Sequence, residues 1–120
     1  MGISKNKVTK YNFKKCVRII KNMREDMGER GYMIPSKISS FGLESLLWNV
    51  EVSAYTKYPS ILRYTFDEVV SFLKKDFSNF GTYTEVNGIK PLFSDGATRN
   101  AYQKFIGDLY NFYEYDIKEQ

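Results

Sequence analysis

Three cations and two hydroxyls are the residues of this sequence whose types and spacing could do chemistry. Lys14, Arg18 and Lys21 recur at the i, i+4, i+7 spacing that places side chains on one edge of a helix. Further along the chain, Ser39 and Ser40 open a second helical pattern. A helix N-terminus presents unpaired N–H groups and a positive dipole end, which favour an anion. If the two helices are neighbours, the sequence predicts a phosphate site between them.

The formal net charge of +4 is distributed unevenly along the chain. Residues 1–24 contain eight Lys or Arg and no Asp or Glu. Such a block is usually a solvated face, and that interpretation is favoured for Lys5, Lys7 and Lys10. For the cations on the helix edge, the register leaves a phosphate-facing role open. In either case the positive field attracts nucleotides and nucleic acid, and salt weakens that attraction.

Histidine is absent from the sequence, and Cys16 is the single cysteine. These counts exclude His-based acid–base catalysis, a hydrolase triad, a His-ligated metal and a thiolate zinc site. They also exclude an intramolecular disulfide, so a cytoplasmic location is expected. Cys16 falls on an apolar stripe and is interpreted as a small buried hydrophobe. No apolar run approaches the length of a membrane span and no signal peptide is recognised, so no membrane partner is expected.

Hydrophobic periodicity predicts a mainly α fold, a compact bundle of about four main helices joined by loops. Asn12 is expected to cap the first helix, and Thr65, followed by Glu68, matches a capping box for the third. Residues 1–10 lack periodicity and are predicted to be a flexible lead-in to a single helical domain at residues 11–117. The four predicted helices cover approximately residues 12–30, 39–52, 65–77 and 97–113.

One short β-hairpin near residues 82–92 is an open alternative to an extended loop. Asn87-Gly88 lies between two β-favouring runs and matches a hairpin turn signal. Pro91 argues against a regular second strand, because proline cannot donate a ladder hydrogen bond. Asp95 or Thr98 is expected to cap the last helix.

Two segments carry a resemblance to a known family: CVRIIK at residues 16–21 and ISSFGLESLLWNV at residues 38–50. In this order and spacing they resemble the C-terminal helical half of template-independent nucleotidyltransferases. That superfamily includes oligoadenylate synthases, cyclic GMP–AMP synthase and their bacterial signalling relatives. The resemblance continues through EVNGIKPLF at residues 85–93 and the terminal aromatic helix, so it covers most of the chain.

In that family the helical lobe closes one side of the active-site cleft. By position, Lys21 matches a lysine that contacts the nucleotide triphosphate, and Ser40, with Ser39 beside it, matches a serine on the same phosphates. Phe41 matches an aromatic ring that stacks on a base, although it lacks the hydroxyl of a tyrosine, and ordinary core packing is the alternative. The connector before Ser39 is shorter than in some relatives. Lys14 and Arg18 are further nucleotide-binding candidates from helical register alone.

The resemblance also implies a catalytic apparatus that this sequence lacks. Nucleotidyl transfer uses two divalent cations clamped by carboxylates, which the superfamily supplies from an N-terminal α/β domain with a Gly-Ser turn. No Gly-Ser dipeptide occurs here, and the acidic pair Glu114 and Asp116 lacks the turn. We therefore expect a nucleotide-binding lobe that is inactive alone. The resemblance implies a parent enzyme for antiviral signalling, with ATP or GTP and the missing catalytic domain as partners. Mg²⁺ is expected only with that domain.

A second hypothesis belongs to another class of function. The chain would be a standalone interaction protein, phage-borne or antitoxin-like, whose basic N-terminal face binds an acidic protein or nucleic acid. Plain nucleic-acid binding through the first long helix is a third alternative. A reading frame that continues upstream of Met1 into a Gly-Ser turn and an acidic pair favours the enzyme lobe, whereas a stop codon favours the standalone binder. Titration with short duplexes at two salt concentrations tests the third alternative.

Overall fold

Helices account for most of the chain in the computed structural model, which describes residues 2–9, 11–86 and 88–113. Within those ranges there is no strand, and none of the helices is long and apolar enough to cross a bilayer. The predicted mainly α fold with four main helices is confirmed. The helices are α1 (Gly2–Val8), α2 (Asn12–Glu29), α3 (Ser40–Trp48), α4 (Val52–Thr56), α5 (Leu62–Lys75) and α6 (Gly96–Phe112), with a 3-10 helix at Phe77–Thr82 between the last two.

The α2 helix forms where its apolar residues recur at helical spacing, so that burial of one face stabilises it. The six residues of that stripe are all buried: Phe13, Cys16, Val17, Ile20, Met23 and Met27. Gly31 follows the helix at φ +94°, a left-handed conformation that glycine adopts at little cost. Burial raises the pKa of the Cys16 thiol to about 12, which agrees with its interpretation as a buried hydrophobe.

The predicted cap of α2 is wrong. Tyr11 is the N-cap residue, at a left-handed φ of 70°, and Asn12 is the first residue of the helix. The Asn12 side chain is buried, and its Nδ2 donates to the carbonyl oxygens of Tyr55, at 3.0 Å, and Pro59, at 3.2 Å. A buried amide must find acceptors, so Asn12 ties α2 to α4 and the following loop instead of capping its own helix.

The segment predicted as a flexible lead-in contains a helix, α1, over Gly2–Val8. Lys5 Nζ donates to the carbonyl oxygen of Val50 at 2.6 Å. The same ammonium lies 5.3 Å from the ring centroid of Trp48 and 5.7 Å from that of Tyr55. Burial lowers the pKa of Lys5. Lys5 is therefore an internal contact of the domain and not a solvated cation.

The core lies where α3, α5 and α6 pack against α2 and where α5 packs against α6. The α3 helix buries Leu43, Leu46 and Leu47, and its Trp48 meets the ring of Phe13 edge-on, with centroids 6.2 Å apart. These contacts fix the position of α3 on α2. The buried apolar side chains of the other two helices are Phe66, Val69, Val70 and Leu73 on α5, and Tyr102, Phe105, Ile106, Leu109 and Phe112 on α6.

The predicted capping box of the third main helix is wrong. The helix begins before Thr65, which lies inside α5 and is fully buried. Thr65 Oγ1 donates to the carbonyl oxygens of Tyr58, at 2.7 Å, and Ile61, at 3.2 Å. Inside a helix, a threonine hydroxyl can donate to the carbonyl four residues earlier. Thr65 makes this bond to Ile61 and does not cap the helix.

The segment between the 3-10 helix and α6 is a loop closed by one isolated antiparallel bridge, between Thr84 and Pro91. Asn49, at the end of α3, pins it: Asn49 Nδ2 donates to the Thr84 carbonyl at 2.8 Å, and the Thr84 N–H donates back to Asn49 Oδ1 at 3.1 Å. The described part of this segment thus contains no regular strand, and its antiparallel pairing is limited to this bridge. Asp95 caps α6 by accepting from the Thr98 N–H at 2.7 Å, one of the two predicted caps.

Leu46→Ala should lower the free energy of unfolding by about 2–5 kcal/mol, because Leu46 is fully buried between helices and its loss leaves a cavity. Urea denaturation followed by circular dichroism measures the change. Met33→Ala is the control, since Met33 is 88% exposed and its truncation should shift stability by less than about 0.5 kcal/mol. Equal midpoints for the two variants would contradict this packing of α3.

Candidate functional site

Two polar contacts join α2 to the N-terminal half of α3. Lys14 Nζ lies 3.0 Å from Glu44 Oε2. Arg24 Nη2 donates to Ser40 Oγ at 3.2 Å, and Arg24 Nη1 donates to the Ile38 carbonyl at 3.0 Å. The cationic edge of α2 and the start of α3 are therefore neighbours, which is the arrangement that a phosphate site between them requires.

Lys21 lies on the same edge of α2, one turn before Arg24 and two turns after Lys14. It is half-buried, and within the described ranges its ammonium has no hydrogen bond or ion pair. Arg18 is exposed and likewise has no such contact there. The direct contact from α2 to Ser40 is made by Arg24 and not by Lys21. Lys21 is thus a cation on the same edge of α2 as Lys14 and Arg24, and its donors have no partner within the described structure.

The two adjacent serines have different environments. Ser39 is the N-cap of α3, and its Oγ accepts from the Gly42 N–H at 3.0 Å. Ser40 is the exposed first residue of the helix. The amides of Ser40 and Phe41 have no acceptor in the described part of the chain, as expected for the first turn of a helix. Phe41 is 52% exposed, so core packing does not account for its ring.

The α6 helix supports this N-terminus from the core side. Tyr102 is buried, and its Oη donates to the Lys37 carbonyl at 2.7 Å. Burial raises the pKa of this phenol, with hydrogen bonds from Ser39 and the charge of Arg24 acting in the opposite direction. A Cβ at Gly42 would collide with the Tyr102 hydroxyl. The first turn of α3 is thus held between Arg24 of α2 and Tyr102 of α6.

Arg24 also borders a groove of about 420 Å³ between α2 and the connector to α3. Neither Lys21, Ser40 nor Phe41 lines it, and two carboxylates do, which disfavours an anion inside the groove. The candidate phosphate contacts therefore lie outside this groove. Its lining residues are Arg24, Glu25, Gly28, Glu29, Ile34, Pro35, Ser36 and Ile38.

The N-terminal basic block is divided between internal and exposed cations. Lys5, Lys14 and Arg24 are held in the contacts described above, so the predicted nucleotide-binding Lys14 already has Glu44 as its partner. The Lys14 side chain keeps 46% of its surface exposed. Among the described residues of the block, the exposed cations without an ion pair or hydrogen bond to the side chain are Lys7, Lys15 and Arg18.

Residues 1–114 match the family model of the cGAS/DncV-like nucleotidyltransferase C-terminal helical domain. The chain belongs to this family. The predicted resemblance is confirmed, and the junction of α2 and α3 lies within the matched region. Among the described residues of this helical domain, no group of three His, Cys, Asp or Glu side chains is placed to hold a metal ion. Glu114 and Asp116 lie outside the described residues.

Three curated relatives are similar to this helical domain. Cyclic GMP-AMP synthase CdnE03 of Staphylococcus schleiferi is 34% identical over 95% of the chain, and the match covers 35% of that relative. Cyclic dipyrimidine nucleotide synthase CdnE of Legionella pneumophila is 32% identical over 77% of the chain and 30% of the relative. Cyclic dipurine nucleotide synthase of Elizabethkingia meningoseptica is 31% identical over 82% of the chain and 33% of the relative. The chain thus spans about a third of these relatives.

Sequence reasoning did not identify Arg24 as part of the junction. The helical spacing could have identified this residue, because Arg24 lies one further turn along the edge of α2 that carries Lys14 and Lys21. Its position nearer the apolar stripe is what turns the guanidinium towards the start of α3. No local sequence pattern indicates the role of Tyr102, because its contact with the Lys37 carbonyl joins residues that are 65 positions apart.

Gly42→Ala should destabilise the domain by about 1–3 kcal/mol, because the new methyl group overpacks the contact with Tyr102. The effect should be smaller in a Tyr102→Phe background, where the colliding hydroxyl is absent. Thermal and urea unfolding of the four proteins of this cycle measure the coupling. Gly107→Ala is the matched control: a Cβ on this helical glycine meets nothing within 4 Å, so stability should stay the same or rise. Equal effects at both glycines would contradict the close approach of α6.

Proposed function

We propose that this helical domain forms one wall of the nucleotide cleft of a cyclic-nucleotide synthase. In this proposal Lys21 and Ser40 contact the triphosphate and Phe41 stacks on the base. The observation that carries it is the Arg24–Ser40 contact, which seats the start of α3 against the cationic edge of α2 in a member of this nucleotidyltransferase family.

The phosphate contacts follow from the groups that the first turn of α3 leaves available. The amides of Ser40 and Phe41, the Ser40 hydroxyl and the Lys21 ammonium are all donors, and a triphosphate offers only acceptors. Lys21 has no carboxylate partner in the described ranges, whereas Lys14 is partly neutralised by Glu44. Lys21 is therefore the stronger phosphate ligand of the two. Arg18 adds to the positive field from the exposed side of the helix.

The base contact follows from the exposure of the Phe41 ring beside those donors. An aromatic ring in water gains about 1–3 kcal/mol when a base stacks on it. Phe41 sits one residue after Ser40, so the phosphate and base contacts originate from the same helical turn. By name, the three relatives differ in the bases of their products, which are GMP-AMP, dipyrimidine and dipurine nucleotides. The proposal therefore extends to nucleoside triphosphates as a class.

The metal-dependent chemistry is assigned to a partner region. The described residues lack a metal-binding carboxylate cluster, and the chain spans about a third of its relatives. We assign Mg²⁺ and the transfer step to an N-terminal catalytic domain that pairs with this one. The role of the helical domain is to bind and orient the nucleotide, which places the reacting groups near one another.

Lys21→Ala should weaken binding of nucleoside triphosphates to the 120-residue protein by roughly tenfold or more, because one charge-assisted contact to phosphate is lost. NMR titration of the ¹⁵N-labelled protein with ATP, GTP, CTP and UTP measures the affinity. Lys15→Ala is the matched control, since it removes one exposed charge from the same helix. If both variants lose affinity equally, only the general field is at work. Tighter binding of duplex RNA than of any triphosphate would favour the nucleic-acid alternative.

Phe41→Leu should weaken binding of the nucleoside triphosphates but leave binding of inorganic tripolyphosphate unchanged. Leucine keeps the apolar volume near the half-exposed position but has no ring for a base to stack on. The same NMR titration, run with GTP and with tripolyphosphate, separates the two contacts. Equal losses for both ligands would show that Phe41 shapes the phosphate site and does not contact the base.

A further inference from the structure

We infer that Arg24 is a positioning residue for Ser40: its guanidinium holds the Ser40 hydroxyl so that the hydroxyl proton is directed at a nucleotide phosphate. The inference rests on the proposed function and adds a residue that lies outside the predicted contacts. The Arg24 guanidinium makes hydrogen bonds to three acceptors at the edge of the domain. The side chain is 18% exposed, so the guanidinium is largely withdrawn from solvent.

The contacts of Arg24 determine what it does. Nη1 donates to the Ile38 carbonyl at 3.0 Å and Nη2 to Ser40 Oγ at 3.2 Å. Nε donates to Glu25 Oε1 at 3.2 Å, and the same carboxylate oxygen lies 3.1 Å from Nη2. The planar fork thus spans three acceptors whose relative positions it fixes. Because Glu25 balances its charge, Arg24 acts mainly through position.

The direction of the Arg24–Ser40 hydrogen bond supports this role, because Arg24 is the donor and Ser40 the acceptor. A guanidinium can only donate, so Ser40 Oγ is the acceptor in this contact and its own O–H remains to donate elsewhere. A serine inside a helix commonly donates to the carbonyl four residues back. Ser40 is the first residue of α3, so the chain before it is not helical, and no such bond is present in the described structure. The remaining donor therefore matches an acceptor-only group such as a phosphate oxygen.

Ser39 provides the internal comparison. Its hydroxyl oxygen accepts from the Gly42 N–H, and its side chain also donates to the buried Tyr102 phenol, so both the oxygen and the proton of this hydroxyl have partners within the domain. Tyr102 holds the Lys37 carbonyl two residues earlier. Residues 37–40 are thus fixed from α6 on one side and by Arg24 on the other. Such preorganisation lowers the entropy that a ligand must remove when it binds.

A double-mutant cycle tests this inference on the 120-residue protein, with GTP and tripolyphosphate as probes and NMR titration as readout. Arg24→Met and Ser40→Ala should each weaken binding by roughly tenfold, the effect of losing one hydrogen bond to a charged group. The double variant should bind no more weakly than either single one, because Arg24 acts through Ser40. Arg24→Lys, which keeps the charge but not the fork, should recover only part of the loss.

The salt dependence of binding separates positioning from direct contact. Arg24→Met should leave the salt dependence as it is in the parent, whereas Lys21→Ala should reduce it, because only Lys21 is an ionic contact of the ligand. Additive losses in the double variant, or a reduced salt dependence in Arg24→Met, would show that Arg24 binds phosphate itself and would overturn the inference. If Arg24→Met lowers the melting temperature too far for titration, Arg24→Lys in both Ser40 backgrounds gives the same cycle.

Different titration results would overturn the positioning role of Arg24 and the proposed function. Loss of affinity in Lys21→Ala together with unchanged affinity in Arg24→Met and Arg24→Lys would overturn the positioning role and leave the proposed function standing. Unchanged affinity in Lys21→Ala, Ser40→Ala and Phe41→Leu would overturn the proposed function, and the positioning role with it.

Discussion

The packing of α3 against α2 is the constraint on which the rest of the structure depends. Leu43, Leu46 and Leu47 of α3 are fully buried, and they meet the apolar stripe of α2 in one core. Burying these side chains supplies the main free energy of the contact. The polar contacts at its margin then have little freedom: Lys14 meets Glu44, and Arg24 meets the turn before α3. The core thus determines where the exposed first turn of α3 can be.

Hydrogen-bond satisfaction explains why some predicted local structures are absent. Asn12 and Thr65 have side chains that commonly cap helices, and the sequence pattern around each is that of a cap. Both residues are buried, however, and both bond to carbonyl oxygens of the segment that joins α4 to α5. Those acceptors are provided by tertiary contacts, which a local pattern does not contain. The four main helices were predictable because their apolar periodicity is local.

The candidate site shows the same division between local and tertiary information. Helical spacing places Lys21 on an edge and the serine pair at a helix start, so both could be identified without coordinates. The different environments of Ser39 and Ser40 could not, because they depend on which oxygen Gly42 and Arg24 reach. The α1 helix is a similar case. Its short pattern carries little periodicity, and it is held by Lys5 on a carbonyl and two rings that are distant in sequence.

The contacts proposed for this domain determine the class of ligand and not the identity of the base. Backbone amides, a hydroxyl and an ammonium recognise phosphate, which all nucleoside triphosphates share. A stacked ring such as Phe41 discriminates weakly, because every base has a π face. Discrimination among bases needs donors and acceptors that are matched to the base edge and are left unpaired by the wrong base. Within the proposed function, the groups that select the base must therefore lie outside the first turn of α3. That turn binds the triphosphate, which all the nucleotides share.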